Sequence, residues 1–122
     1  MAGSFENWTV QARKGILEMA VLTALAGGER YGYELVKSLV AVPGLTVTEG
    51  TLYPLLSRLR QLGWIESRLV ESNEGPARKY YVLTSDGREA LDLMETYFAG
   101  VTGALEKLQA DSLQPKRKRK KA

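Results

Sequence analysis

Apolar residues fall at nearly every position between Ile16 and Leu25: Ile16, Leu17, Met19, Ala20, Val21, Leu22, Ala24 and Leu25. A helix that is apolar all round must be covered on more than one face. Asn7 or Thr9 is suited to cap it, and Gly27-Gly28 stops it after about residue 26. A second helix is expected over about 29–41, with Tyr31, Leu35, Val36 and Leu39 as its inner stripe and Pro43-Gly44 as the following turn. In a third, over about 48–62, Leu52, Leu55, Leu56, Leu59 and Leu62 are spaced by three and four, which sets one face inward. Pro54 sits in its first turns, and Gly63 ends it.

The periodicity then changes. Residues 64–71 and 78–84 are rich in β-branched and aromatic side chains, and the turn-forming stretch 72–77 joins them into a hairpin. Thr84 caps a last helix over about 85–110. Its apolar positions Leu91, Met94, Phe98, Val101, Leu105 and Leu108 recur at intervals of three and four, an a/d seam that fits a partner helix. Gly100 and Gly103 weaken this helix but allow close approach. The uncovered first helix and this seam both point to a homodimer.

The order helix, helix, helix, hairpin, helix predicts a mainly α fold with a two-stranded wing: a winged helix-turn-helix followed by a C-terminal dimerisation helix. In that architecture the third helix enters the major groove and the wing reaches the flanking backbone. The expected organisation is an N-terminal extension over 1–9, the winged helix-turn-helix over 10–84, the dimerisation helix over 85–111 and a disordered basic tail over 112–122.

Composition narrows the chemistry. The 122 residues include no histidine and no cysteine. That removes Ser-His-Asp and Cys-His catalysis and every His or Cys metal site. No catalytic residues, metal or cofactor are expected, and a cysteine-free chain fits a reducing cytoplasm. No uncharged run approaches the ~18 residues of a membrane span, and the N-terminus lacks the pattern of a secretory signal. Seventeen basic and fourteen acidic residues give a net charge of +3. Six of the basic residues form the run 116–121. Without them eleven basic face fourteen acidic side chains, a net charge of −3. The body therefore has no bulk attraction for nucleic acid and needs placed groups, while the tail supplies non-specific attraction.

Three blocks carry a family resemblance: Tyr31-Gly32-Tyr33-Glu34-Leu35, then Thr48-Glu49-Gly50-Thr51-Leu52-Tyr53-Pro54-Leu55-Leu56-Ser57-Arg58-Leu59, then Gly75-Pro76-Ala77-Arg78-Lys79-Tyr80-Tyr81-Val82-Leu83-Thr84. In order and spacing the chain resembles the PadR-type transcriptional regulators over about 16–91, and its single C-terminal helix is similar to the compact branch of that family. The resemblance implies a bacterial homodimeric repressor. It would bind near-palindromic operator DNA and release it when a small aromatic or drug-like effector binds. The sequence departs from the family pattern at Arg60, where an acidic residue is usual, and at Trp64, where an aliphatic one is. Glu71 and Glu74 near the wing tip repel phosphate and shorten the wing's footprint.

The candidate DNA-contacting residues are Thr48, Thr51, Tyr53, Ser57 and Arg58 on the third helix, with Arg78 and Lys79 on the wing. Arginine reads guanine bidentately, and hydroxyls suit phosphates or bases. The competing reading pairs Arg78 or Lys79 with Glu66 or Glu71 across the hairpin. Arg13 and Lys14 are further candidates for phosphate contact. Trp8, Tyr97 and Phe98 are candidate stacking surfaces for a planar effector. The alternative function is a dimeric winged-helix adaptor that binds protein and not specific DNA; a salt-sensitive, sequence-dependent gel shift separates the two.

Overall fold

The computed structural model describes residues 2–113. The basic run 116–121 and most of the tail assigned to 112–122 lie outside them. In chain order the elements are α1 (Ala2–Leu25), β1 (Arg30–Tyr31), α2 (Gly32–Ala41), α3 (Glu49–Gln61), β2 (Ile65–Val70), β3 (Arg78–Leu83) and α4 (Ser85–Ser112).

Two elements differ from the expectation. Helix α1 begins at Ala2, so Asn7 and Thr9 lie within it instead of capping it, and the segment expected as an extension is helical from Ala2. No Gly-Pro or Pro-Gly break interrupts 2–9, and the Thr9 hydroxyl donates back to the Glu6 carbonyl at 2.7 Å, a bond that is compatible with continuing helix. The expected two-stranded hairpin is present as β2 and β3, and a third short strand joins it to give the order β1-β3-β2, all antiparallel. Arg30 and Tyr31 pair with Tyr81 and Tyr80, which delays α2 to Gly32. Gly32 permits this junction. A Cβ there would lie 2.8 Å from Tyr81 Cε2 and 3.3 Å from its Cδ2.

The remaining boundaries follow the sequence reading closely. Gly63 stops α3 with φ of 81°. Its N–H donates to the Arg60 carbonyl at 3.0 Å, and the Trp64 N–H reaches back to the Leu59 carbonyl at 3.1 Å. This is the left-handed glycine stop of a Schellman motif, and it aims the chain directly into β2. Thr84 caps α4. Its hydroxyl accepts from the Gly87 N–H at 2.9 Å and donates to the Gly63 carbonyl at 2.7 Å. One threonine thus ties the end of α3 to the start of α4.

The chain divides into two compact units, Met1–Leu91 and Asp92–Ala122. In the first, Val21, Leu22 and Leu25 of α1, Leu35 and Val36 of α2, Leu52, Leu56 and Leu59 of α3 and Ile65 of β2 are sealed from solvent. Each such side chain contributes about 1.5–3 kcal/mol on burial, so this cluster holds the three helices against the sheet. Of the paired tyrosines on β3, Tyr81 faces this core. Leu62 departs from the expected inner stripe and is about half exposed. Leu91, expected as the first seam residue, is buried in the first unit's own core. In the second unit α4 continues as regular helix, with a Lys107–Asp111 ion pair at 3.4 Å one turn apart. Four of its apolar side chains stand exposed: Phe98, Val101, Leu105 and Leu108 at 47%, 38%, 55% and 61%.

Candidate nucleic-acid interface

Helix α3 shows water a face built from short polar groups. Thr48 ends the preceding loop in an extended conformation, and its carbonyl receives the Thr51 and Leu52 N–H groups at 3.1 Å. The two threonine hydroxyls lie 3.4 Å apart. Pro54 is the sixth residue of the helix and brings no N–H, so the Gly50 carbonyl has no partner one turn further on. Thr51, Tyr53, Ser57 and Arg58 are all exposed. Arg58 is not free, because its guanidinium is bound to the Glu18 carboxylate of α1.

On the wing, Arg78 opens β3 opposite Val70, and Lys79 stands opposite Leu69. Both are exposed, and successive strand residues point to opposite faces. The cross-strand pairing with Glu66 or Glu71 is not formed. Among the described residues the ion pairs are Arg58–Glu18, Arg68–Glu29 and Lys107–Asp111. Arg78 instead lies over the Tyr31 ring, 4.9 Å from its centroid, a cation–π contact that leaves the guanidinium edge available.

That contact belongs to a cluster that sequence reasoning misses. Tyr31 of β1 packs on Tyr80 of β3 at 5.6 Å and on Tyr33 of α2 at 6.1 Å, and Lys37 Nζ lies 5.3 Å from the Tyr33 centroid. The apolar pattern puts Tyr31 on the inner stripe of the second helix; it is instead half-buried on a strand, because 30–31 pair with β3. The signal is present in Tyr31-Gly32-Tyr33, since a glycine between two aromatics is a poor helix interior and a good site of close approach. Partial burial pushes the Tyr53 phenol up, and Glu49, Tyr33 and Tyr31 add to it. Tyr53 is therefore a protonated hydroxyl donor at neutral pH. Lys37 over the Tyr33 ring and Arg78 over the Tyr31 ring combine cations with phenols in one surface, a chemistry of the kind that receives phosphate oxygens.

At the base of the wing, Arg68 of β2 makes a two-point contact with Glu29, Nε to Oε2 at 2.6 Å and Nη2 to Oε1 at 2.8 Å. This hydrogen bond holds the Glu29 carboxyl below the usual carboxylate range. It fixes β2 to the loop before β1 and neutralises an arginine that would otherwise add to the wing's charge. Arg13 and Lys14 lie beside α3 across a groove between α1 and α3. Of the effector candidates, Trp8 in the first unit stacks on Phe5 with centroids 6.0 Å apart and planes 14° from parallel. Tyr97 and Phe98 are exposed on the second unit.

Three helices, a three-stranded sheet that ends in a wing, and hydroxyl and cationic donors gathered around α3 define a winged-helix DNA-binding protein. Comparison with known proteins gives the family. The model of the PadR-like transcriptional regulator family matches residues 21–93, and the chain belongs to that family. A transcriptional regulator from Streptococcus has 36% sequence identity and a TM-score of 0.72, covering 81% of this chain and 97% of its own. A PadR-like transcriptional regulator from Bacillus cereus has 37% identity and a TM-score of 0.71, with 81% and 96% covered. A PadR family regulator from Eggerthella lenta has 32% identity and a TM-score of 0.72, with 88% and 94% covered. The protein is a DNA-binding transcriptional regulator and not an enzyme.

Proposed function

We propose that the protein is a homodimeric repressor that occupies operator DNA in the cytoplasm and releases it when a small aromatic or drug-like effector binds. The observation that carries the dimer is the uncovered row Phe98, Val101, Leu105 and Leu108 on α4. At intervals of three and four it fits a second copy of the same helix. In this reading a winged-helix unit over 10–84 binds DNA, and 85–111 dimerises, continuing a seam in which Met94 is half-buried and Leu91 already serves the core. No helix among the described residues is long and apolar enough to cross a membrane.

The DNA contacts are divided by chemistry. Thr48, Thr51, Tyr53, Ser57 and Arg58 face the major groove. Arg78, with Lys79 on the other face of the strand, serves the flanking phosphates, and the tyrosine hydroxyls beside Arg78 and Lys37 add to the backbone contacts. A dimer sets its two α3 helices one helical turn apart, ~34 Å, on near-palindromic DNA. Repression requires only that the occupied site overlap a promoter. Trp8, Tyr97 and Phe98 are the stacking surfaces we assign to an effector. By linkage the effector binds the DNA-free form more tightly than the DNA-bound one.

The test is an electrophoretic mobility shift on the DNA flanking the protein's own coding sequence, with salt and competitor DNA varied. A sequence-dependent shift that weakens steeply with salt supports the reading. A shift that any competitor abolishes equally, or none, favours the protein-binding adaptor. Addition of planar aromatic compounds to the shifted complex tests release.

A further inference from the structure

Arg58 is the one arginine among the α3 candidates for base contact, yet it is held from within the chain. One of its terminal nitrogens donates to Oε2 of Glu18, forty residues earlier on α1. The two ends of the pair differ in exposure: the Arg58 side chain is 61% exposed and that of Glu18 only 14%. The carboxylate sits in the wall of the groove between α1 and α3, of about 690 Å³, beside Leu17, Thr51 and Pro54. Glu18 is therefore a fixed anchor and Arg58 the outward arm.

A free arginine side chain gives up rotamer freedom when it docks. One nitrogen tied to a fixed carboxylate removes part of that cost in advance. A guanidinium has five N–H donors in a rigid fork, so one bond to Glu18 leaves enough for a two-point contact with the O6 and N7 acceptors of guanine. The carboxylate also cancels the arginine's charge. A pair that is neutral but directional adds little to phosphate attraction and much to base choice.

We propose that Glu18 is a positioning residue for base recognition: it orients Arg58 as a guanine-reading fork and suppresses its use as a general phosphate contact. The inference rests on the reading that α3 faces the major groove. Its test compares two affinities, for the duplex that the parent protein enriches from a random pool and for a random duplex of equal length, each as a function of salt. The variants are Glu18→Gln, Arg58→Ala, Arg58→Lys and the double variant Glu18→Gln/Arg58→Ala.

Arg58→Ala lowers the specific-to-random affinity ratio by about 10-fold or more, the range for removal of a bidentate hydrogen-bonded pair with a base. Glu18→Gln lowers the ratio by a similar factor while random binding tightens and its salt dependence steepens, because a positive charge is released. The double variant falls no further than Arg58→Ala alone. Arg58→Lys keeps the charge and leaves the α1 side untouched. It also lowers the ratio about 10-fold, which keeps the test decisive if Glu18→Gln fails to fold. A ratio unchanged by Glu18→Gln overturns the inference and leaves the α3 reading intact, whether or not binding to all DNA tightens. A ratio unchanged by Arg58→Lys overturns it as well. A ratio unchanged by Arg58→Ala overturns the placement of Arg58 on the DNA and the inference with it.

Discussion

Gly87 stands where α4 leaves the wing, and replacing it with alanine is the most direct test of how that junction is built. An added Cβ would overlap the Trp64 carbonyl oxygen, lie 2.9 Å from the Trp64 carbonyl carbon and lie 2.8 Å from Leu83 Cδ1. The leucine methyl can give way, but the Trp64 carbonyl cannot do so alone. It accepts the Thr84 N–H at 3.1 Å, and Thr84 in turn binds both Gly63 and Gly87. Relief therefore shifts the start of β2 or the first turn of α4 and strains this group of bonds. Overpacking of this kind costs about 1–3 kcal/mol, and one weakened hydrogen bond adds about 0.5–1.5 kcal/mol. The expected destabilisation is roughly 2–4 kcal/mol, or about 8–16 °C in Tm at ~4 °C per kcal/mol for a chain of this size. The assay is thermal and urea unfolding at fixed protein concentration, since a dimer's stability depends on concentration. Gly15→Ala is the control. Its Cβ meets nothing within 4 Å, and the gain in helix propensity is up to about 1 kcal/mol. A Gly87→Ala protein within about 0.5 kcal/mol of the parent would refute this account of the junction.

Three further outcomes are expected. Val101→Asp and Leu105→Asp each place a charge in the proposed seam. They should convert a species of twice the chain mass into monomer in analytical ultracentrifugation, with the far-ultraviolet circular dichroism of the first unit kept; an unchanged mass contradicts the seam. Arg78→Ala should weaken binding to all DNA sequences alike and flatten the salt dependence, by about 0.9 in log–log slope for each phosphate no longer neutralised, counted twice in a dimer. A parental slope would remove Arg78 from the groups that meet the DNA backbone. The Glu29 carboxyl is held low by Arg68, so its contribution to stability is present above the unfolded carboxylate's pKa, ~4.3, and disappears as pH falls through the lower folded value. The stability difference between Glu29→Gln and the parent should therefore exist at pH 7, shrink with salt and close in acid. A difference that persists in acid assigns the effect to packing instead.

The elements that pack by their own periodicity are legible from the sequence. Leu52, Leu56 and Leu59 declare the inner face of α3, Gly63 its end and Thr84 the start of α4, because each of these is decided within one or two turns of chain. What escapes is decided across distance. A two-residue strand such as β1 has no period to read, and only its pairing with β3 makes it a strand. That pairing is also what gathers Tyr31, Tyr33 and Tyr80 from three elements into one cluster with Arg78. The Glu18–Arg58 pair spans two helices and has no mark in either. At the N-terminus, cap preferences of ~1 kcal/mol for Asn7 or Thr9 are outweighed by a stretch from Ala2 to Thr9 that contains no proline to interrupt the helix. Leu91 obeys the seam's spacing yet belongs to the core, since a heptad-like interval does not say which surface covers it.

In the proposed dimer two copies of this chain present their α3 helices to successive turns of one face of DNA. Hydroxyl-radical footprinting of the duplex enriched by the protein from a random pool tests it most directly. Two protected segments related by symmetry are expected, with centres ~34 Å apart and flanking protection that Arg78→Ala erases. A single protected segment, or protection without a fixed position on the sequence, would contradict it.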